Sequence, residues 1–220
     1  MKYFSLFFVL ICTIDLVFID VYPIGRLVSK PLIASSLLAY YIISLEKQHS
    51  FIILGLVFSI LGDVFLLFTG DTVFKLGLLS FFVMQLCYIN YLRKFVTKHK
   101  RPAQKIIVGI LLLVTIGFNV IMYMHGVDIW WLIMIYSIVL FTMARMAILF
   151  PSAKNISSIG VGAILFVSSD LLLAVNKFLT PIVFADYLVM VLYCIAQYLI
   201  ISGITMDAVA YFKSRKNSVN

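Results

Sequence analysis

Apolar residues in this chain come in long unbroken runs, not at every second or third position, and short polar stretches separate the runs. A segment that is apolar on every side has no water-facing stripe, and about 20 such residues cross the hydrocarbon of a bilayer as a helix. Eight segments meet that description: Tyr3–Tyr22, Leu27–Leu45, Phe51–Phe68, Val73–Leu92, Lys105–Met124, Asp128–Phe150, Ile156–Asn176 and Ile182–Gly203. The gaps between them leave no room for a separate domain. The expected fold is therefore all-α, a single polytopic membrane bundle over residues 1–220. Pro31 suits the opening of the second helix. The first segment follows Met1-Lys2 as a secretion signal would. However, Asp15 and Asp20 stand where its apolar region should finish, and no small-x-small cleavage pattern follows. It reads as a retained first helix.

Composition strengthens this picture. The 220 residues are 64% hydrophobic and 12% charged, with a mean hydropathy of +1.13. A soluble domain is about half apolar and a quarter charged, so lipid has to be part of the solvent. The net charge of +8 would suit a nucleic-acid binder, but the basic residues occupy the short loops. On one side of an eight-helix arrangement fall Lys2, Lys47, Arg93, Lys94, Lys98, Lys100, Arg101, Lys105, Lys154, Lys213, Arg215 and Lys216. Only Arg26, Lys30, Lys75 and Lys177 fall on the other, and Arg145 lies within a helix. The asymmetry predicts cytoplasmic termini and no nucleic-acid partner. Cys12, Cys87 and Cys194 all sit inside apolar runs and read as small buried hydrophobes.

Charges at membrane depth are costly unless they meet protein, water or a counter-charge. Asp15, Asp63, Arg145 and Asp170 are in that position. With 1.5 Å of rise per residue, Asp15, Asp63 and Asp170 share one layer, and Asp63 and Asp170 lie about 8–9 Å below the outer ends of their helices. Lys30, Asn176 and Lys177 fall near the outer rim, so the pattern predicts a polar pocket in the outer half of the bundle. Gly55, Ser59 and Gly62 form a small-residue stripe beside Asp63 that allows close helix packing. Asp63 and Asp170 stand 107 residues and four helices apart in similar surroundings, a weak echo of a four-plus-four duplication.

His49, His99 and His125 all fall in loops, which argues against an intramembrane histidine–zinc site or a Ser–His pair. No GxSxG, P-loop or GxGxxG pattern occurs. Intramembrane aspartyl proteases use GxGD and Pro-Ala-Leu motifs. Here Ser59-Ile60-Leu61-Gly62-Asp63 lacks the first glycine, and Pro-Ala-Leu is missing. Carboxylate chemistry is left: neighbouring acids in a low dielectric hold their protons unequally, giving a general acid and a general base.

Several runs in order resemble the YhhN-like lysoplasmalogenases, multi-pass membrane enzymes. They are Lys30-Pro31-Leu32, the stretch from Gly55 to Leu66 with Gly62-Asp63, and Phe74 to Phe82 with Gly77-Leu78. Tyr136, the stretch from Gly162 to Ala174 with Ser169-Asp170, and Tyr193 to Gln197 complete the set. Gln85 departs from the pattern, which leads one to expect histidine three residues before Tyr88. The resemblance implies hydrolysis of the vinyl ether of lysoplasmalogens to a fatty aldehyde and a glycerophospho-base, without metal or organic cofactor. Asp63 and Asp170 would then be catalytic. Lys30 and Lys177 would attract the phosphate, with Asn176 beside them. Tyr136, Tyr193 and Gln197 would position substrate or water, and Asp15, Ser59, Gln85, Tyr88 and Ser169 would support the site. The expected partners are a lysophospholipid substrate and membrane lipid, and the expected location is a bacterial inner membrane. Two rivals use the same aspartates differently: a proton or cation transporter with a water path to both sides, and a bundle that only scaffolds partners.

Overall fold

The computed structural model describes residues 2–95, 101–151 and 156–217, with side chains over 3–95, 101–151 and 156–209. Lys98, Lys100 and Lys154 of the charge count, and His99, lie outside the described residues. So do the side chains of Lys2, Lys213, Arg215 and Lys216. Among the described residues every regular element is helical: α1 (Lys2–Phe18), a 3₁₀ turn (Pro23–Gly25), α2 (Arg26–Ser44), α3 (Ser50–Phe65), α4 (Asp71–Leu92), α5 (Pro102–Met124), α6 (Trp130–Ile148), α7 (Ser158–Phe178) and α8 (Ala185–Asn217).

Six of these helices are long and apolar enough to cross a membrane. The other two, α1 and α3, are apolar but shorter, at 17 and 16 residues. Both stop before their apolar runs do. α1 gives way to a turn at Ile19–Asp20 ahead of Pro23, and α3 to a turn at Leu66–Phe68 ahead of Gly70, whose φ of 125° breaks helical geometry. In α2 the helix starts at Arg26, so Pro31 lies inside it, a turn beyond the expected opening.

The outer surface is what lipid requires. Leu6, Phe7, Ile43, Leu113 and Ile116 are large, apolar and exposed. α5 is the extreme case, burying only Gln104, Leu111 and Met122. The core runs through α2, α3, α4, α6, α7 and α8, with Leu37, Tyr41, Leu56, Met84, Tyr88, Met143 and Phe166 fully enclosed.

The packing pairs fall into two matching sets. In the first half α1 meets α2, α2 meets α3 and α3 meets α4; in the second, α5 meets α6, α6 meets α7 and α7 meets α8. The halves join through α2 on α8 and α4 on α6, contacts that interchange when α1–α4 are swapped for α5–α8. The light α1–α8 contact alone lacks a counterpart among the main pairs. This is the packing that a four-plus-four arrangement requires, and it gives α3 and α7, the two aspartate-bearing helices, equivalent places.

Candidate active site

Polar side chains one helical turn apart point the same way, and two such pairs build the first half of the site. Ser59 and Asp63 share a face of α3, and Tyr193 and Gln197 share a face of α8. The Tyr193 hydroxyl donates to Asp63 Oδ2 at 2.7 Å and lies 2.9 Å from Ser59 Oγ. With its proton committed to Asp63, Tyr193 accepts from Ser59. Gln197 Nε2 donates to Ser59 Oγ at 3.0 Å, and the Tyr88 hydroxyl donates to Gln197 Oε1 at 3.3 Å. The result is a relay of donors, Tyr88 to Gln197 to Ser59 to Tyr193, ending on the Asp63 carboxylate. All five side chains are buried. In a lipid-embedded core such a relay satisfies each polar group in turn and fixes where the carboxylate points.

Glycines make room for it. A Cβ on Gly62 would stand 2.7 Å from the Phe81 ring, and one on Gly55 would stand 2.6 Å from the Tyr88 ring. The small-residue stripe of α3 thus accommodates two aromatic rings of α4. Phe81 in turn meets Tyr193 and Phe166 edge-on, with ring centres 6.0 and 6.3 Å away.

The second half is simpler. Tyr136 on α6 donates to Asp170 Oδ2 on α7 at 2.6 Å. Ser169 beside it donates to the Val189 carbonyl at 3.0 Å and ties α7 to α8.

Both halves open on one cavity. Its walls carry Asp63, Asp170, Tyr136, Tyr193, Ser169 and Lys30; Leu, Phe, Val and other apolar side chains make up most of the remainder. Its volume is about 80 Å³. It is therefore a narrow slot, apolar along most of its length and polar at the two carboxylates. Lys30 is buried, and among the described residues its ammonium makes no ion pair within 4.0 Å.

The remaining candidates stand elsewhere. Asp15 is fully buried between α1 and α2, where Ser29 Oγ donates at 2.6 Å and Arg26 pairs with it at 3.4 Å; it does not line the slot. Asn176 accepts from the Ile182 backbone N–H at 2.8 Å and shapes the turn between α7 and α8. Lys177 is half-exposed in an outer depression, 4.0 Å from Asp71 and over the Phe74 ring. Gln85 is fully buried, and neither amide atom has a hydrogen-bond partner. His49 caps α3 and His125 follows α5, both away from the slot. Among the described residues no three His, Cys, Asp or Glu side chains gather as a metal site would need. Phe81 and Phe166, which pack against Tyr193, and Arg26 and Ser29, which hold Asp15 apart from the slot, are partners that the sequence alone did not single out. Arg26, Ser29 and Lys30 do follow one another at helical spacing, a signal hidden by their nearness to a predicted helix start.

The class is thus a helical membrane protein with two tyrosine–carboxylate pairs, one buried and one half-buried, facing one slot. Residues 25–204 match the model of the YhhN family, and the chain belongs to that family. No solved structure matches it.

Proposed function

We propose that this protein hydrolyses the vinyl ether bond of lysoplasmalogens. The observation that carries the reading is that Asp63 and Asp170, each with its own tyrosine donor, line a single narrow slot whose other walls are mostly apolar. Membership of the YhhN family supports it. The reaction begins when one carboxylic acid protonates the outer alkene carbon, leaving an oxocarbenium ion on the carbon bonded to the ether oxygen. The other carboxylate stabilises that cation and takes a proton from water as the water oxygen adds to it. The hemiacetal then loses its hydroxyl proton, the C–O bond to glycerol breaks, and the glycerol oxygen is reprotonated. A fatty aldehyde and a glycerophospho-base leave. The apolar length of the slot suits the alkenyl chain. Lys30 within it is the cation for the phosphate, whereas Lys177, expected for the same task, faces Asp71 in a separate depression.

In this reading all eight helices cross the membrane, with both ends in the cytoplasm and the Lys/Arg asymmetry as support. A bacterial inner membrane fits the composition.

The test is purified protein in detergent, given a lysoplasmalogen and, separately, a lysophospholipid with an ester at the same position. Aldehyde is expected from the first and no cleavage of the second, because an ester offers no alkene carbon to protonate. Equal cleavage of both would sink the assignment. Tyr193→Phe keeps the ring against Phe81 but removes the donor to Asp63. Its turnover is expected to fall about 10–100-fold, the value of a hydrogen bond to a charged group, with aldehyde release as the readout.

A further inference from the structure

Each catalytic carboxylate candidate accepts from a tyrosine, and behind Tyr193 stands a glutamine, Gln197, that supports it through Ser59. Behind Tyr136 stands Gln85. The Tyr136 hydroxyl faces two polar side chains, Asp170 and Gln85. It spends its proton on Asp170 at 2.6 Å and keeps oxygen lone pairs to accept with. Gln85 is 0% exposed, and both its amide nitrogen and its amide oxygen lack partners. An amide left wholly unpaired in a lipid-embedded core is costly and calls for a role. The Tyr136 oxygen beside it can accept. Gln85 and Gln197 stand on α4 and α8, helices with equivalent places in the two halves, although Tyr193 shares α8 with its glutamine while Tyr136 is on α6.

The geometry points to Gln85 as a positioning residue for Asp170, donating its amide N–H to the Tyr136 oxygen when substrate fills the slot. Accepting that bond strengthens the one Tyr136 gives to Asp170 and fixes the direction of the carboxylate. Gln85 touches neither substrate nor reacting atoms, and acts only through Tyr136. This inference rests on the hydrolase reading for its kinetic consequence, but not for its geometry.

Gln85→Met keeps the volume and removes the amide. Loss of an unpaired amide leaves thermal stability unchanged or raised, so lost turnover will not mean lost fold. With lysoplasmalogen as substrate, Gln85→Met is expected to lower kcat about tenfold. KM should stay within about twofold, as when an interaction matters only in the transition state. In a Tyr136→Phe background the same substitution is expected to cost nothing more, because the residue it acts through is gone. Effects that multiply in the double variant would overturn the proposal, as would a Gln85→Met enzyme with wild-type kcat. A second readout needs no turnover. The ultraviolet resonance Raman difference between wild type and Tyr136→Phe isolates this one of 12 tyrosines, and its ring doublet reports whether the hydroxyl accepts as well as donates. With a non-cleavable saturated ether lysolipid bound, Gln85→Met is expected to shift that doublet. An unchanged doublet refutes the role of Gln85 even if wild type releases no aldehyde, whereas absent aldehyde alone refutes only the hydrolase reading.

Discussion

Asp63→Asn and Asp170→Asn are each expected to release aldehyde about 10²–10⁴-fold more slowly than wild type, the range that a positioned general acid or base contributes. Asparagine preserves the shape of the side chain, and its carbonyl oxygen still accepts from Tyr193 or Tyr136, so the relay and the fold survive the change. What is lost is the exchangeable proton. Asp15→Asn provides the contrast. Asp15 is as deeply buried as Asp63, but it faces Arg26 and Ser29 and not the slot. Its substitution leaves Arg26 without its partner and costs about 3–5 kcal/mol of stability, the usual penalty for breaking a buried ion pair, while folded protein retains most of its turnover. Initial rates in detergent, normalised to folded protein, separate the three variants. If either slot aspartate behaves like Asp15, the acid–base proposal is wrong.

Gly162→Leu is expected not to yield a stable protein. A Cβ at that position would stand 2.8 Å from the Ala196 carbonyl oxygen and 3.0 Å from the Ile200 backbone nitrogen. Those are backbone atoms and cannot swing aside, so α7 and α8 must separate. The expected cost is about 3 kcal/mol or more, at the severe end of overpacking. Because α7 carries Asp170 while α8 carries Tyr193 and Gln197, the site is lost with the packing. Gly117→Leu is the matched control. Nothing lies within 4 Å of a Cβ there, on a helix mostly exposed to lipid, and removing a mid-helix glycine gains up to about 1 kcal/mol. Thermal unfolding in detergent distinguishes the two. Comparable melting temperatures for both would contradict the α7–α8 packing.

Much of the architecture was legible because lipid imposes a simple rule on sequence. Runs apolar on all sides predicted helices at the right places, and the ends differ where turns at Ile19 and Leu66 stop α1 and α3 early. The site was legible where a residue was out of place in such a run. Asp63 and Asp170 announced themselves as charges, and the structure lines one slot with both. Hydrogen-bonding residues announced themselves less well. Ser59 with Asp63, and Tyr193 with Gln197, each sit one turn apart, so each pair could be read as sharing a face. That the two faces meet depends on which helices neighbour one another, and hydropathy carries no such information. Asp15 shows the opposite difficulty. Its depth matched that of the slot aspartates, but depth fixes height along the membrane normal and says nothing of direction around the helix. Asn176 and Lys177 both stand near the C-terminal end of α7. One serves a turn and the other an exposed depression, distinctions made by the path of the loop.

The matched halves of the bundle bear on how any ligand lies in the slot. The spacing of 107 residues that relates Asp63 to Asp170 also relates Lys30 to Ser137, and all four line the same space. The frame repeats, but what it displays does not: an amine faces the slot where the other half has a hydroxyl. Asp63 is braced by a long buried relay and Asp170 by Tyr136. A repeated frame with unlike groups at its matching points has polarity, as a magnet does. For the proposed hydrolysis this polarity predicts that a lysolipid, charged at one end and apolar along the other, settles in the slot one way round, with each carboxylate keeping one task from turnover to turnover.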